Sequence, residues 1–239
     1  MSVSKRLTLP DNSQLAYEIY GTGFPLILLH GNGNDRAYFA HQLADFAQNY
    51  QVIVIDSRGH GQSTNQQKKV SYRLMAEDLA AVFEHEHLHQ AHLLGFSDGA
   101  NIAMIFAALY PNKVAKLVLN AGNIQLSGIR PVVRWATYIQ YLFVKLLALF
   151  SAHFKRRAPF IHLMLQPTGL SKEYLGYITA QTLVIVGKKD VIKVEHSLAI
   201  ASAIPKARFV LIPNQGHRLA RTSPQLFNKE VLQFLEGVN

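Results

Sequence analysis

Cysteine is absent from the 239-residue chain. That excludes a disulfide framework and thiolate metal ligation, and it fits the cytoplasm. A secretory leader is not expected, because Met1 to Gln14 contains no apolar h-region. A membrane-spanning helix is not expected either. It needs about 20 largely apolar residues, and in the most apolar stretch Arg134, Lys145 and Lys155 leave uncharged runs of only ten and nine. The chain also lacks internal repeats and low-complexity segments. Hydrophobic residues make up 49% and charged residues 16%, a composition that builds a globular core rather than a disordered chain.

Acidic residues are scarce in one place. Residues 123–178 carry Arg130, Arg134, Lys145, Lys155, Arg156, Arg157 and Lys172 against the single acid Glu173. Seven basic groups against one acid give this segment +6 of the formal net charge of +9, leaving +3 for the rest. The basic balance therefore belongs to one middle segment. The Lys155-Arg156-Arg157 run reads as a solvated surface, or as a contact for a phosphate or an anionic surface. No nucleic-acid fold or aromatic-interleaved basic face accompanies it, so nucleic acid is not an expected partner.

Short aliphatic runs occur at Pro25–His30, Gln51–Ile55, Ala91–Gly95, Lys116–Asn120, Thr182–Gly187 and Ala207–Ile212. Such runs suit central strands buried on both faces. Arg6–Leu9 and Gln14–Tyr20 alternate across Pro10-Asp11-Asn12-Ser13, which predicts a hairpin. Amphipathic stretches at Asp35–Ala47, Ser71–His87, Asp98–Tyr110, Val194–Ala203 and Pro224–Leu235 predict helices, with Ser71 and Ser223 as N-caps. The alternation implies an α/β fold: a mostly parallel eight-stranded sheet with helices on both faces. Residues 123–178 break the rhythm. They predict an inserted helical cap, with a long helix at Val132–Phe154 and a shorter one near Phe160–Leu165, on a core domain of residues 1–122 and 179–239.

Gly95-Phe96-Ser97-Asp98-Gly99 matches G-x-S-x-G between a predicted strand and a predicted helix. Glycines two residues either side of Ser97 permit the sharp turn that projects its hydroxyl. A serine needs a base, and His217 lies on the loop after the last strand. That histidine needs an acceptor for its other ring nitrogen, and Asp190 lies just after Thr182–Gly187. The order Ser97, Asp190, His217 suits such a scaffold. An oxyanion hole is expected from the backbone N–H groups of Asn32, in His30-Gly31-Asn32-Gly33, and of Asp98. Phe96, Trp135 and Tyr138 are candidate substrate contacts. Tyr141, Leu142 and Phe143 share that stretch, which could line an acyl pocket or pack the cap onto the core.

Other groups admit alternatives. Asp56 could replace Asp190, but it reads better as a turn-stabilising residue. Asn120 or Asn123 could also stand in, though an amide orients an imidazole weakly. The Asp98 carboxylate could touch substrate or cap, or simply favour a helix N-terminus. His85, Glu86, His87 and His89 could suggest a metal cluster, but they read as a solvated helix end, and no metal site is expected.

Together these residues resemble the α/β-hydrolase family over essentially the whole chain. Asp56-Ser57-Arg58-Gly59-His60-Gly61-Gln62-Ser63 looks like the family's turn after its fourth strand. Gln181-Thr182 departs from the family's frequent proline before the strand that leads to Asp190. The resemblance implies acyl transfer through Ser97 on an ester, lactone, thioester or amide, without metal or organic cofactor. From the aromatic, basic cap, the expected substrate is a small to medium-sized, largely apolar molecule, with or without an acidic group. C–C bond hydrolysis, lyase or perhydrolase chemistry, or a ligand receptor, are the alternatives the same triad allows. Haloalkane dehalogenation is not expected, because it needs a carboxylate nucleophile where Ser97 stands.

Overall fold

In the computed structural model, residues 2–237 are described. Strands β1 (Ser2–Thr8), β2 (Gln14–Tyr20), β3 (Phe24–Leu29), β4 (Tyr50–Ile55), β5 (Ala91–Phe96), β6 (Val114–Asn120), β7 (Gln181–Gly187) and β8 (Ala207–Ile212) form one sheet. Their order is β1-β2-β4-β3-β5-β6-β7-β8. β1 and β2 pair antiparallel, as do β2 and β4; every other pair is parallel.

The helices are α1 (Ala40–Phe46), α2 (Tyr72–His85), α3 (Asp98–Leu109), α4 (Pro131–Leu147), α5 (Ala152–Leu163), α6 (Lys172–Leu175), α7 (Val194–Ala203), α8 (Leu219–Thr222) and α9 (Pro224–Glu236). Side chains alternate across a strand, so each central strand feeds two cores. Ile27, Leu29, Leu93 and Leu117 pack with Leu79 and Phe83 of α2 and Phe106 of α3. Leu26, Leu28, Leu94 and Val118 pack with Phe46 of α1 and with Phe227 and Val231 of α9 on the other face. Burial on both faces explains why these strands are aliphatic without interruption.

Some expectations need correction. The long helix expected at Val132–Phe154 is two helices, α4 and α5, broken at residues 148–151 where Ser151 turns extended at φ −142°. The shorter helix expected near Phe160–Leu165 is the end of α5, which carries Pro159 in its interior. The break lets α5 fold back against α4, with Tyr141 stacked on His162 at 4.9 Å. Asp35–Ala47 opens with a tight 3-10 turn at Arg36–Phe39 before α1, capped by the Asp35 carboxylate. The hairpin strand β1 starts at Ser2, four residues before the expected start. Ser71 caps α2 by accepting the Leu74 N–H, whereas Ser223 makes no such side-chain bond.

β3 lies between β4 and β5 in the sheet, so the chain steps outward from β3 to β4 and then crosses back to β5 on the other side. Such a reversal of strand order leaves a crevice beyond the carboxyl ends of the adjoining strands. The loops after β3 and β5 both open there, and they carry His30-Gly31-Asn32 and Ser97.

Candidate active site

Ser97 occupies the turn between β5 and α3 with φ 53° and ψ −118°. A non-glycine residue rarely adopts this backbone, and the surroundings hold it there. The Ser97 N–H donates to the carbonyl of Asn120 at 2.8 Å. Asn120 is available because β6 pairs Asn120 with Phe96 at the end of β5. The Ser97 carbonyl accepts from Ala100 N–H at 2.9 Å and starts α3. The flanking glycines answer to packing. A side chain on Gly95 would run into the Gly99–Ala100 backbone of α3, and one on Gly99 would strike the end of β3 at Leu29.

His217 joins Ser97 to Asp190. Its Nε2 lies 3.1 Å from Ser97 Oγ, and its Nδ1 lies 2.8 Å from Asp190 Oδ1. Asp190 is fully buried after β7, and the same Oδ1 accepts the Ile192 N–H at 2.9 Å. A buried carboxylate acceptor fixes Nδ1 as the protonated ring nitrogen, which leaves Nε2 free to accept a proton from the serine. The His217 ring leans on Phe96 with centroids 4.9 Å apart, and Phe96 stacks in turn on Tyr38 at 4.2 Å.

The β3 loop presses against the serine. A side chain on Gly31 would sit 2.9 Å from Ser97 Cβ, so only glycine lets this backbone come so close. The neighbouring His30 is buried. It accepts the Ser57 N–H at Nε2 (3.0 Å) and donates from Nδ1 to the Gly31 carbonyl (2.7 Å). Burial, with His60 nearby, pushes its pKa down to about 3, so the ring stays neutral. The Asp98 N–H, first in α3, has no acceptor within its own helix. It and the Asn32 N–H belong to the two loops that meet at Ser97.

The side chains of those same residues interlock. Asn32 Nδ2 donates to Asp98 Oδ2 at 2.9 Å and to the Phe160 carbonyl at 2.7 Å. Tyr72 Oη donates to Asp98 Oδ1 at 2.8 Å. Burial pushes the Asp98 carboxyl up from its ordinary value; the bonds from Asn32 and Tyr72 oppose this only in part. Asp98 thus ties its loop, through Asn32, to α5. Phe160 also packs on Gly59 and meets the His60 ring at 4.8 Å.

Several alternatives find other partners. Asp56 accepts the N–H groups of Arg36 and Gln62 and pairs with the Arg36 guanidinium, holding its turn. Arg58 pairs with Asp78 and Asp11. Asn120 Nδ2 donates to the Ile185 carbonyl, and Asn123 pairs with Asn101. Glu86 engages Lys5 and Tyr17. Trp135 and Tyr138 are not brought to Ser97. They are 62% and 45% exposed and meet each other edge to face on the outer side of α4. The inner side is Val133, Thr137, Tyr141 and Val144. Tyr72, Arg130 and Phe160 enter the site's surroundings without any prior signal in spacing. Arg130 Nε donates to the Asp190 carbonyl at 2.7 Å.

Comparison with known proteins identifies the family and the fold. A family model described as the alpha/beta hydrolase fold matches residues 25–160, more than half of the chain. A thermophilic esterase from Thermogutta terrifontis superposes with a TM-score of 0.83 at 25% identity, covering 99% of each chain. Est816, described as an N-acyl homoserine lactone degrading enzyme, superposes at 0.80 and 26% identity over 96% of this chain and all of that one. A hydrolase from Pseudomonas aeruginosa PA01 has the same fold, with a TM-score of 0.82 at 24% identity over 97% of this chain and 98% of that one. The chain belongs to the alpha/beta hydrolase fold family.

Proposed function

We propose that this protein is a serine hydrolase that cleaves an ester or lactone of a small to medium-sized, largely apolar acyl group through an acyl-enzyme on Ser97. The observation that carries the reading is the continuous chain from Ser97 Oγ through His217 to Asp190 Oδ1, at 3.1 and 2.8 Å. The resemblance to an esterase and to a lactone-degrading enzyme, each at 25% identity or more over nearly the whole chain, supports the bond type.

In this reading Ser97 Oγ attacks the carbonyl carbon while His217 Nε2 takes its proton. The imidazolium is stabilised by the carboxylate of Asp190. The oxyanion that forms is held by the N–H groups of Asn32 and Asp98; one such donor typically contributes about 3–4 kcal/mol to transition-state stability. The proton on Nε2 passes to the leaving oxygen, and the acyl group stays on Ser97. Water then gives a proton to Nε2 and attacks the ester, and the acid leaves as Ser97 recovers its proton. No step calls on a metal or an organic cofactor.

We further propose that residues 123–178 act as a cap on a core of residues 1–122 and 179–239. The contacts of Phe160 with Asn32 and Gly59, and of Arg130 with Asp190, support this. Phe96, expected from the sequence as a substrate contact, is buried between the His217 and Tyr38 rings and supports the histidine from behind instead. A cytoplasmic site of action accords with the cysteine-free sequence.

A fluorophosphonate probe tests the mechanism. It should label wild-type protein at Ser97, fail on Ser97→Ala and label His217→Ala far more slowly. A folded wild type that stays unlabelled refutes the reading. A series of p-nitrophenyl esters tests the acyl preference, and acetate outrunning every longer chain refutes that part.

A further inference from the structure

Helix α4 carries two apolar stripes. Val133, Thr137, Tyr141 and Val144 face inward. On the opposite side, Val132, Trp135, Ile139, Phe143 and Leu146 recur at three- and four-residue spacing, and exposed Phe150 follows in the turn beyond the helix. These six are between 56% and 83% exposed. From Val132 to Leu146 the stripe runs about 20 Å along the helix. A contiguous exposed apolar surface of this kind marks an interaction site on a folded protein.

Its surroundings select the partner. Lys145 lies on the flank of the stripe, one turn from Leu142 and Leu149. Helix α5 adds Lys155, Arg156 and Arg157, all exposed. Residues 123–178 carry +6. A second copy docked through this face would set Lys145 and the basic start of α5 against their own counterparts, with no acidic residue between 123 and 172 to offset them, which disfavours it. An anionic surface is complementary. A helix with large apolar residues on one side and lysine or arginine at its border matches the pattern of interfacial helices, which lie in the plane of a bilayer surface. No helix among the described residues is long and apolar enough to cross a membrane.

We propose that the outer stripe of α4 docks on an anionic phospholipid surface, with its apolar side chains entering the acyl boundary, Lys145 meeting lipid phosphates at its border, and the exposed basic run Lys155-Arg156-Arg157 at the start of α5 adding to the attraction. Docking is peripheral and does not depend on the Ser97 chemistry. It sets the lipid surface against α4 and α5, the pair whose far end, Phe160, touches Asn32 beside Ser97.

Trp135 is the only tryptophan in the chain, so its fluorescence reports on this face directly. The full-length protein is titrated with vesicles of phosphatidylcholine alone and of phosphatidylcholine mixed with phosphatidylglycerol. The mixed vesicles should shift Trp135 emission to the blue, brominated acyl chains should quench it, and added salt should weaken binding. Replacing Lys155, Arg156 and Arg157 together with glutamine should lower partitioning on the order of a hundredfold. Ile139→Ser with Leu146→Ser should abolish the blue shift while melting temperature and hydrolysis of a soluble ester stay at wild-type level. Ser97→Ala should bind as wild type does, which separates this proposal from the catalytic one. Emission unchanged by the mixed vesicles, or equal binding to phosphatidylcholine alone, overturns the proposal. So does a concentration-dependent dimer that shields Trp135 without lipid, which would assign the face to a second copy. Capture of an acidic protein in place of vesicles overturns it as well.

Discussion

Replacing Ser97 separates two effects that its position combines. The hydroxyl meets His217, and the backbone sits at φ 53° and ψ −118°. Alanine removes the hydroxyl but keeps the Cβ, so it inherits the backbone strain. Glycine adopts positive φ without penalty. Holding a non-glycine residue in such a region costs about 1–3 kcal/mol. Against that relief stands the greater freedom of glycine in the unfolded chain, about 0.4–1 kcal/mol relative to alanine. The Cβ of Ser97 also packs against Gly31, a small contact that glycine loses. The balance leaves Ser97→Gly more stable than Ser97→Ala by about 1 kcal/mol. In a chain of this size that is roughly 2–4 °C in melting temperature. Ser97→Ala itself should fall within about 0.5 kcal/mol of wild type, since the lost hydrogen bond joins two half-buried groups and leaves water access to His217. Urea denaturation of the three proteins at one pH measures both differences. A glycine variant less stable than the alanine variant would refute the claim that this turn stores strain.

Asp190→Asn should lower kcat on p-nitrophenyl esters by about 10³–10⁴ with little change in fold, because an amide nitrogen facing His217 forces the wrong tautomer; a loss below tenfold would count against the orienting role of Asp190. Asn32→Ala leaves the Asp98 carboxylate and the Phe160 carbonyl each one donor short, and should cost about 3 kcal/mol in urea denaturation; a change under 0.5 kcal/mol, on the same scale, would show that these bonds do not hold α5 down. Stability should fall with acid before carboxylates titrate. Burial holds His30 at about 3 and, with Lys116 nearby, His92 at about 4, both below the ordinary 6.5. The unfolded chain therefore takes up the protons first: the contribution is complete above about pH 6.5 and is lost as pH falls toward the folded values, at about 2 kcal/mol per histidine by about pH 5. A urea midpoint that stays flat from neutral pH to that point would contradict the buried, neutral state of both rings.

The strands and the serine turn were legible because their residue choices answer to packing that admits few alternatives. Ala207–Ile212 and Val194–Ala203 coincide with β8 and α7. Gly95, Gly99 and Gly31 are glycines because backbone or Ser97 Cβ stands where a side chain would go. The order of Ser97, Asp190 and His217 could be read because each follows a strand that ends at the same edge. The β6–β7 segment was harder. Leu149 and Phe150 continue an apolar pattern across residues 148–151, with neither glycine nor proline to announce the break. What sets the break is tertiary: α5 turns back so that Tyr141 meets His162. The face of α4 was equally hidden, because both sides are apolar, and Trp135 proved to lie on the outside. Tyr72 and Arg130 act through one hydrogen bond each, to Asp98 and to the Asp190 carbonyl. Nothing in their sequence neighbourhoods marks such a bond.

The start of the β6–β7 segment bears on how this site can open. Arg130 N–H donates to Val191, Lys193 N–H donates to Gly128, and Ile129 bridges Ile192, all beside the Arg130–Asp190 bond. The leading end of the segment is thus riveted to the loop that carries the acid. A hinge placed there would drag Asp190 away from His217 each time the site was uncovered. Any opening that keeps the histidine aligned must leave residues 128–130 still and bend farther along the segment.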